Sequence, residues 1–157
     1  MEQAFNMFIN KEHLQSWLPL VTDVTPMVGG KYEITWPPKT KKNTKAKKRK
    51  IKKKKTTIGC KIIAYEPNKI ITFEWNGPFN DSHRLSSQLH SHVTVYFLPL
   101  EGSKKNKQQF TEVHLILTGW EEAENYKEAR KQSEITWTDA IEKLIEHVNN
   151  NFNNTNT

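Results

Sequence analysis

The chain has 157 residues, one cysteine and no long apolar run. Because Cys60 is alone, no internal disulfide can form. No stretch approaches the roughly 18 apolar residues that a membrane-spanning helix needs. The first residues lack both the basic start and the apolar centre of a secretory signal. These absences predict a cytoplasmic protein of one domain, residues 1–157, that builds its core without disulfides or metals.

The sequence also lacks catalytic motifs. It has no G-x-S-x-G, no phosphate loop and no paired carboxylates in an apolar setting. Cys60 lies in a predicted strand, where a lone thiol is more often packed than nucleophilic. His90 and His92 share a strand face and His114 lies in another strand, but a metal site needs three or four converging ligands. We therefore expect no catalytic residue, no metal and no cofactor.

Positive charge is confined to one segment. Residues 39–55 hold 12 of the 24 basic side chains and no acid, and removing them changes the net charge from +7 to −5. We interpret residues 39–56 as a mobile, low-complexity insertion between two strands. Within it, Lys47, Lys48, Arg49 and Lys50 match a nuclear-import pattern and could also bind anions. The alternative is a solvated run without function, and since no aromatic interleaves it, specific nucleic-acid binding is not indicated.

The clearest pattern is a β-hairpin over residues 59–75. Residues 66–69 (Glu-Pro-Asn-Lys) form the predicted turn, because proline presets the second position and asparagine tolerates the left-handed third. The alternation on the second strand puts Ile71, Phe73 and Trp75 on one face. On the first strand it groups Cys60, Ile62 and Ala64.

The remaining elements follow from periodicity. Helices are predicted over residues 2–8, over 11–18 with Asn10 as N-cap, and from 123 to 148. Further strands are predicted over 31–36, 91–98 and 109–118. Residues 149–157, rich in asparagine, are predicted to be a disordered tail. This order predicts an α+β fold, with helices packed on one side of an antiparallel sheet.

Motifs spread along the chain resemble those of a known family. They are Phe5 and Phe8 before residues 12–17 (EHLQSW), residues 29–32 (GGKY), Gly59 with residues 67–75 (PNKIITFEW), and Trp137 with Leu144. In this order they resemble the START-like or SRPBCC superfamily, and within it the branch named after the activator of the heat shock protein 90 ATPase. The chain departs from that family in starting with a helix instead of a strand, in its lysine-rich insertion, and in having Thr136 where glycine is usual.

The resemblance implies a helix-grip fold, with a long C-terminal helix lying across a curved antiparallel sheet and two short N-terminal helices. It also implies a non-enzymatic role, either as a co-chaperone that associates with heat shock protein 90 or as a carrier of a small, lipid-like apolar ligand held between sheet and helix. The predicted cavity wall consists of Phe5, Phe8, Trp17, Ile62, Ile71, Phe73, Trp75, Val93, Val95, Leu115, Leu117, Trp137, Ile141 and Leu144. The alternative is that these side chains are simply a closely packed core.

Overall fold

A computed structural model describes residues 1–18, 21–36, 55–77, 91–100, 110–120 and 124–154. Its elements are, in chain order, α1 (Glu2–Ile9), α2 (Lys11–Trp17), β1 (Val21–Val24), β2 (Tyr32–Trp36), β3 (Lys55–Thr56), β4 (Ile62–Glu66), β5 (Ile70–Glu74), β6 (His92–Leu100), β7 (Phe110–Thr118) and α3 (Glu124–Asn154). The α+β order predicted from the sequence is confirmed.

The strands form two antiparallel sheets that meet at one edge. The order is β1-β2-β3 in the first sheet and β4-β5-β6-β7 in the second. A bridge between Lys31 and Lys61 joins them, and the Tyr32 amide donates to the Cys60 carbonyl at 2.9 Å. The second sheet therefore ends at β7, on the side away from this junction.

The hairpin β4–β5 has the predicted turn. Asn68 adopts a φ of 63°, and the Lys69 amide donates to the Glu66 carbonyl at 3.1 Å. One prediction here is wrong: the register shifts between Ile62 and Ala64, so that Tyr65 pairs with Ile71 on the core side. A β-bulge of this kind reverses the alternation, which is why Ala64 does not share the face of Ile62.

The helices α1 and α2 form a corner that closes one end of the core. Asn10 caps α2 as predicted, because its side-chain oxygen accepts the amides of Glu12 at 2.9 Å and His13 at 3.2 Å. The indole of Trp17 donates to the Met7 carbonyl at 2.8 Å. These bonds fix the two short helices against each other.

The predicted lysine-rich insertion, residues 39–56, overlaps a strand at its end. Lys55 pairs with Trp36 and Thr56 with Thr35, so the last two residues of the predicted insertion belong to β3. The run Lys47–Lys50 lies outside the described residues. At the other end of the chain, α3 continues to Asn154, beyond the predicted helix end at Val148 and into the predicted tail; propagating a formed helix costs much less than starting one.

Candidate functional site

The first half of α3 packs tightly on the sheet. Its sheet-facing side chains are buried and mostly small, namely Tyr126, Ala129, Ser133, Trp137 and Ala140. Small side chains let a helix approach closely, because the contact distance depends on the residues at the crossing.

The indoles of Trp75 and Trp137 link α3 to the sheet. Their ring centroids lie 5.1 Å apart, and Trp137 also packs on Phe73 at 5.9 Å. Trp75 donates its indole N–H to the Ser133 hydroxyl at 2.9 Å, and that hydroxyl donates to the Ala129 carbonyl at 3.0 Å. The buried N–H of Trp137, in contrast, has no acceptor among the described residues.

Between α3 and β7 lies an apolar groove of about 1310 Å³, which extends along the helix from Arg130 to Asn151. Its floor is the inner face of β7, formed by Thr111, Val113, Leu115 and Leu117, and Phe110 and Ile116 of the other face line it at the strand edge. Its roof is α3, through Trp137, Ile141, Leu144, Ile145 and Val148. Residues of α1 form an end wall, among them Ala4, Met7 and Phe8. Several lining side chains remain exposed, so the groove is open to solvent along one side.

Two hydrogen bonds hold polar side chains at or near the rim of the groove. Arg130 Nε donates to Glu134 Oε1 at 2.9 Å. His147 lies 3.2 Å from the Ser16 hydroxyl and so ties the second half of α3 to α2. The polar side chains are thus at the rim, and the floor and roof are largely apolar.

Six of the predicted wall residues line this groove, and the other eight lie elsewhere in the hydrophobic core. The six are Phe8, Leu115, Leu117, Trp137, Ile141 and Leu144. The eight are Phe5, Trp17, Ile62, Ile71, Phe73, Trp75, Val93 and Val95. The core group is closely packed; for example, the rings of Tyr32 and Phe73 stack at 3.7 Å.

The groove also includes residues that the sequence did not suggest. Ala4 and Met7 come from α1, and Val113, Ile145 and Val148 come from patterns that the sequence did identify. Val113 alternates with Leu115 and Leu117, and Val148 continues the apolar stripe of α3. The alternation signal is therefore sufficient for Val113, and in α1 the predicted wall includes Phe8 but not its neighbours Ala4 and Met7.

Burial, not catalysis, accounts for the two strongly shifted titratable groups. Burial raises the pKa of the Cys60 thiol to about 11, and burial raises the pKa of the Tyr32 hydroxyl well above its ordinary value. The Tyr32 hydroxyl donates to the Phe8 carbonyl at 2.9 Å. In the described part of the chain, no three His, Cys, Asp or Glu side chains converge as a metal site.

The comparisons with known proteins agree with this architecture. A family model described as Activator of Hsp90 ATPase homolog 1-like protein matches residues 1–149 and confirms the resemblance seen in the sequence. The crystal structure of protein MLL2253 from Mesorhizobium loti is similar in fold, with a TM-score of 0.63 and 19% identity over 95% of this chain and 88% of that one. No curated protein sequence matches the chain. No helix in the described ranges is long and apolar enough to cross a membrane.

Proposed function

The chain belongs to the Activator of Hsp90 ATPase homolog 1-like protein family, and we propose that it is a non-enzymatic binding protein whose groove takes an elongated, lipid-like apolar ligand. The observation that carries this proposal is the apolar floor and roof between β7 and the second half of α3. Its volume of about 1310 Å³ is sufficient for a drug-sized or larger ligand, since small-molecule pockets are typically about 300–1,000 Å³.

The indole N–H of Trp137 indicates which polar group the ligand should carry. The side chain is only 3% exposed, it lines the groove, and its N–H has no acceptor among the described residues. Leaving a buried donor unpaired costs about 1–3 kcal/mol. A ligand oxygen, such as that of a carboxylate or an ester, would remove this cost if the ring turned its buried N–H towards the groove on binding, so we expect the ligand to carry a hydrogen-bond acceptor near Trp137.

A matched pair of variants on α3 tests the groove. Ile145 lines it and is 54% exposed, whereas Ile135 is 46% exposed and does not line it. A fluorescent long-chain fatty acid should bind the protein saturably and be displaced by an unlabelled one. Ile145→Gln should weaken this binding about fivefold, because roughly 1 kcal/mol of apolar contact is lost, and Ile135→Gln should not change it.

The Trp137→Phe variant tests the acceptor. It keeps an aromatic ring but removes the N–H, so binding of the fatty acid should weaken about fivefold, equivalent to roughly 1 kcal/mol for a hydrogen bond. Binding of an alkane of equal length should change less. Absence of saturable binding, or equal effects of Ile145→Gln and Ile135→Gln, would contradict the carrier function.

A second candidate function is association with the heat shock protein 90 chaperone, and the family match over residues 1–149 is what favours it. The purified chain should then change the ATPase rate of the chaperone. The control replaces Lys47, Lys48, Arg49 and Lys50 with glutamine, because a basic run can bind an acidic surface without specificity. An effect that disappears in this variant, or no effect at all, would count against a co-chaperone role.

A further inference from the structure

The strand β7 is a long edge strand. It comprises Phe110–Thr118 and ends the order β4-β5-β6-β7, and no strand in the described part of the chain pairs with its other side. Natural edge strands are commonly protected by proline, lysine or short length. The nine residues of β7, FTEVHLILT, contain neither proline nor lysine. Among the described residues, the backbone groups on this edge have no strand partner.

The ladder identifies the backbone groups that face outward. The Trp75 amide donates to the Ser91 carbonyl at 2.8 Å, so Val93 and Val95, two and four residues on, also direct their backbone groups towards β5. The intervening residues of β6 bond instead to their β7 partners, which are Glu112, His114 and Ile116. It follows that the remaining β7 residues, Thr111, Val113, Leu115 and Leu117, present their amides and carbonyls at the open edge.

The outer face of β7 carries an apolar residue on each side of a glutamate–histidine pair. Phe110 is 50% exposed and Ile116 is 44% exposed. Between them, His114 Nε2 lies 2.6 Å from Glu112 Oε1. A partner strand that matched this pattern would place an apolar side chain opposite each apolar residue, an imidazole opposite Glu112 and a carboxylate opposite His114.

The sequence of β7 is complementary to itself in one antiparallel register. We propose that two copies of this chain associate by edge-to-edge pairing of their β7 strands about a two-fold axis at Val113. In this register Glu112 faces His114 of the second copy, and Phe110 faces Ile116 of the second copy. A two-fold axis repeats each of these contacts, as an isologous interface requires.

The backbone geometry fits the same register. Val113 meets its own equivalent, and Thr111 meets Leu115 of the second copy, so the outward-facing amides and carbonyls become hydrogen-bonded pairs. Glu112 and His114 then form a non-hydrogen-bonded pair, in which side chains approach most closely. Shifting the axis to His114 would instead oppose two histidines and set Glu112 against Ile116, which is why we place it at Val113.

Pairing would also extend the floor of the groove. The inner face of β7 lines it through Val113 and Leu115, and the second copy would add the same residues to the continued sheet. Phe110 and Ile116, which face each other across the proposed interface, also line the groove, so the interface and the groove share these two side chains.

A charge-complementation experiment tests the pairing between copies. Glu112→Lys places a lysine opposite the histidine of the second copy, and His114→Glu places two carboxylates opposite each other. Sedimentation equilibrium should show each variant dimerising about tenfold more weakly than the wild type, because the change occurs twice per dimer. Mixing the two variants sets the introduced lysine of one copy against the introduced carboxylate of the other, so a heterodimer should form with nearly wild-type affinity. The contact within each chain is broken in both variants, so rescue on mixing reports contact between copies.

Amide exchange provides a second, independent measurement on the wild type. The amides of Thr111, Val113 and Leu115 should exchange slowly at high protein concentration and quickly on dilution. Those of Glu112 and His114 bond to β6 and should stay protected at both concentrations, which makes them an internal reference. Three results would each overturn the proposal. The first is a monomer at all concentrations, and the second is a dimer whose affinity neither charge variant changes. The third is protection of the Thr111, Val113 and Leu115 amides at every concentration, which would mean that another segment covers the edge.

Discussion

The two central tryptophans provide the sharpest test of how α3 is held. Trp75 and Trp137 contact each other, and both are almost fully buried. Trp75 donates to Ser133 at 2.9 Å, whereas Trp137 has no acceptor among the described residues. Replacing either with phenylalanine removes a similar apolar area, so the difference between the two variants reports the hydrogen bonding of the indoles.

The expected difference can be estimated from hydrogen-bond energies. Trp75→Phe loses a bond with a net contribution of about 1 kcal/mol, and Trp137→Phe removes an unpaired donor whose burial costs about 1–3 kcal/mol. Trp75→Phe should therefore lower the free energy of unfolding by at least about 2 kcal/mol more than Trp137→Phe. For a chain of this size that corresponds to a difference in Tm of roughly 4–8 °C.

Urea unfolding followed by far-UV circular dichroism measures the free energy of unfolding of both variants. Tryptophan fluorescence is unsuitable as a probe, because the substitutions themselves would change it. Ser133→Ala completes the cycle: it should destabilise the wild type by about 1–3 kcal/mol by leaving Trp75 unpaired, and it should cost much less when Trp75 is already phenylalanine. Equal losses for the two tryptophan variants, or a larger loss for Trp137→Phe, would refute the assignment of the bond to Trp75.

Three further predictions concern single positions. Asn10→Ala should lower the free energy of unfolding by about 1 kcal/mol, because it removes the cap of α2, and urea unfolding measures it. Gly30→Ala should destabilise the fold by more than about 2 kcal/mol, since an added Cβ would collide with the Thr25 carbonyl oxygen. Gly59→Ala is the comparison, because its added Cβ meets nothing within 4 Å and its cost comes from the positive φ of 94° at that residue. Burial raises the pKa of Cys60 from 9.0 to about 11, so the stability that its neutral thiol contributes is complete below pH 9 and is lost as the pH rises through 11. The difference in unfolding free energy between wild type and Cys60→Ala should shrink over that range, and a constant difference would contradict the raised pKa.

Local patterns in the sequence were sufficient for most elements of the fold. The turn at Asn68, the cap at Asn10 and the alternation of Val113, Leu115 and Leu117 each depend on residues close together in the chain. The bulge between Ile62 and Ala64 was missed, because a period of two counts residues and carries no information about an inserted one. The extension of α3 to Asn154 was missed because asparagine has a low helix propensity, which a formed helix overrides.

The division between packed core and groove depends on distances that periodicity does not contain. Trp137, Ile141 and Leu144 belong to a single stripe, and nothing in their spacing separates a packed residue from one beside a gap. Side-chain size decides which part of α3 is packed. The small side chains of Ala129 and Ser133 allow Trp75 to donate to the Ser133 hydroxyl.

The C-terminal half of α3 contacts the short helix α2. His147 contacts Ser16 of α2, so the second half of the helix leans on another helix instead of on the sheet. The groove lies between this helix and β7, the last described strand of the second sheet. The groove and the open edge of β7 are therefore neighbours, because both lie where α3 no longer packs closely on the sheet.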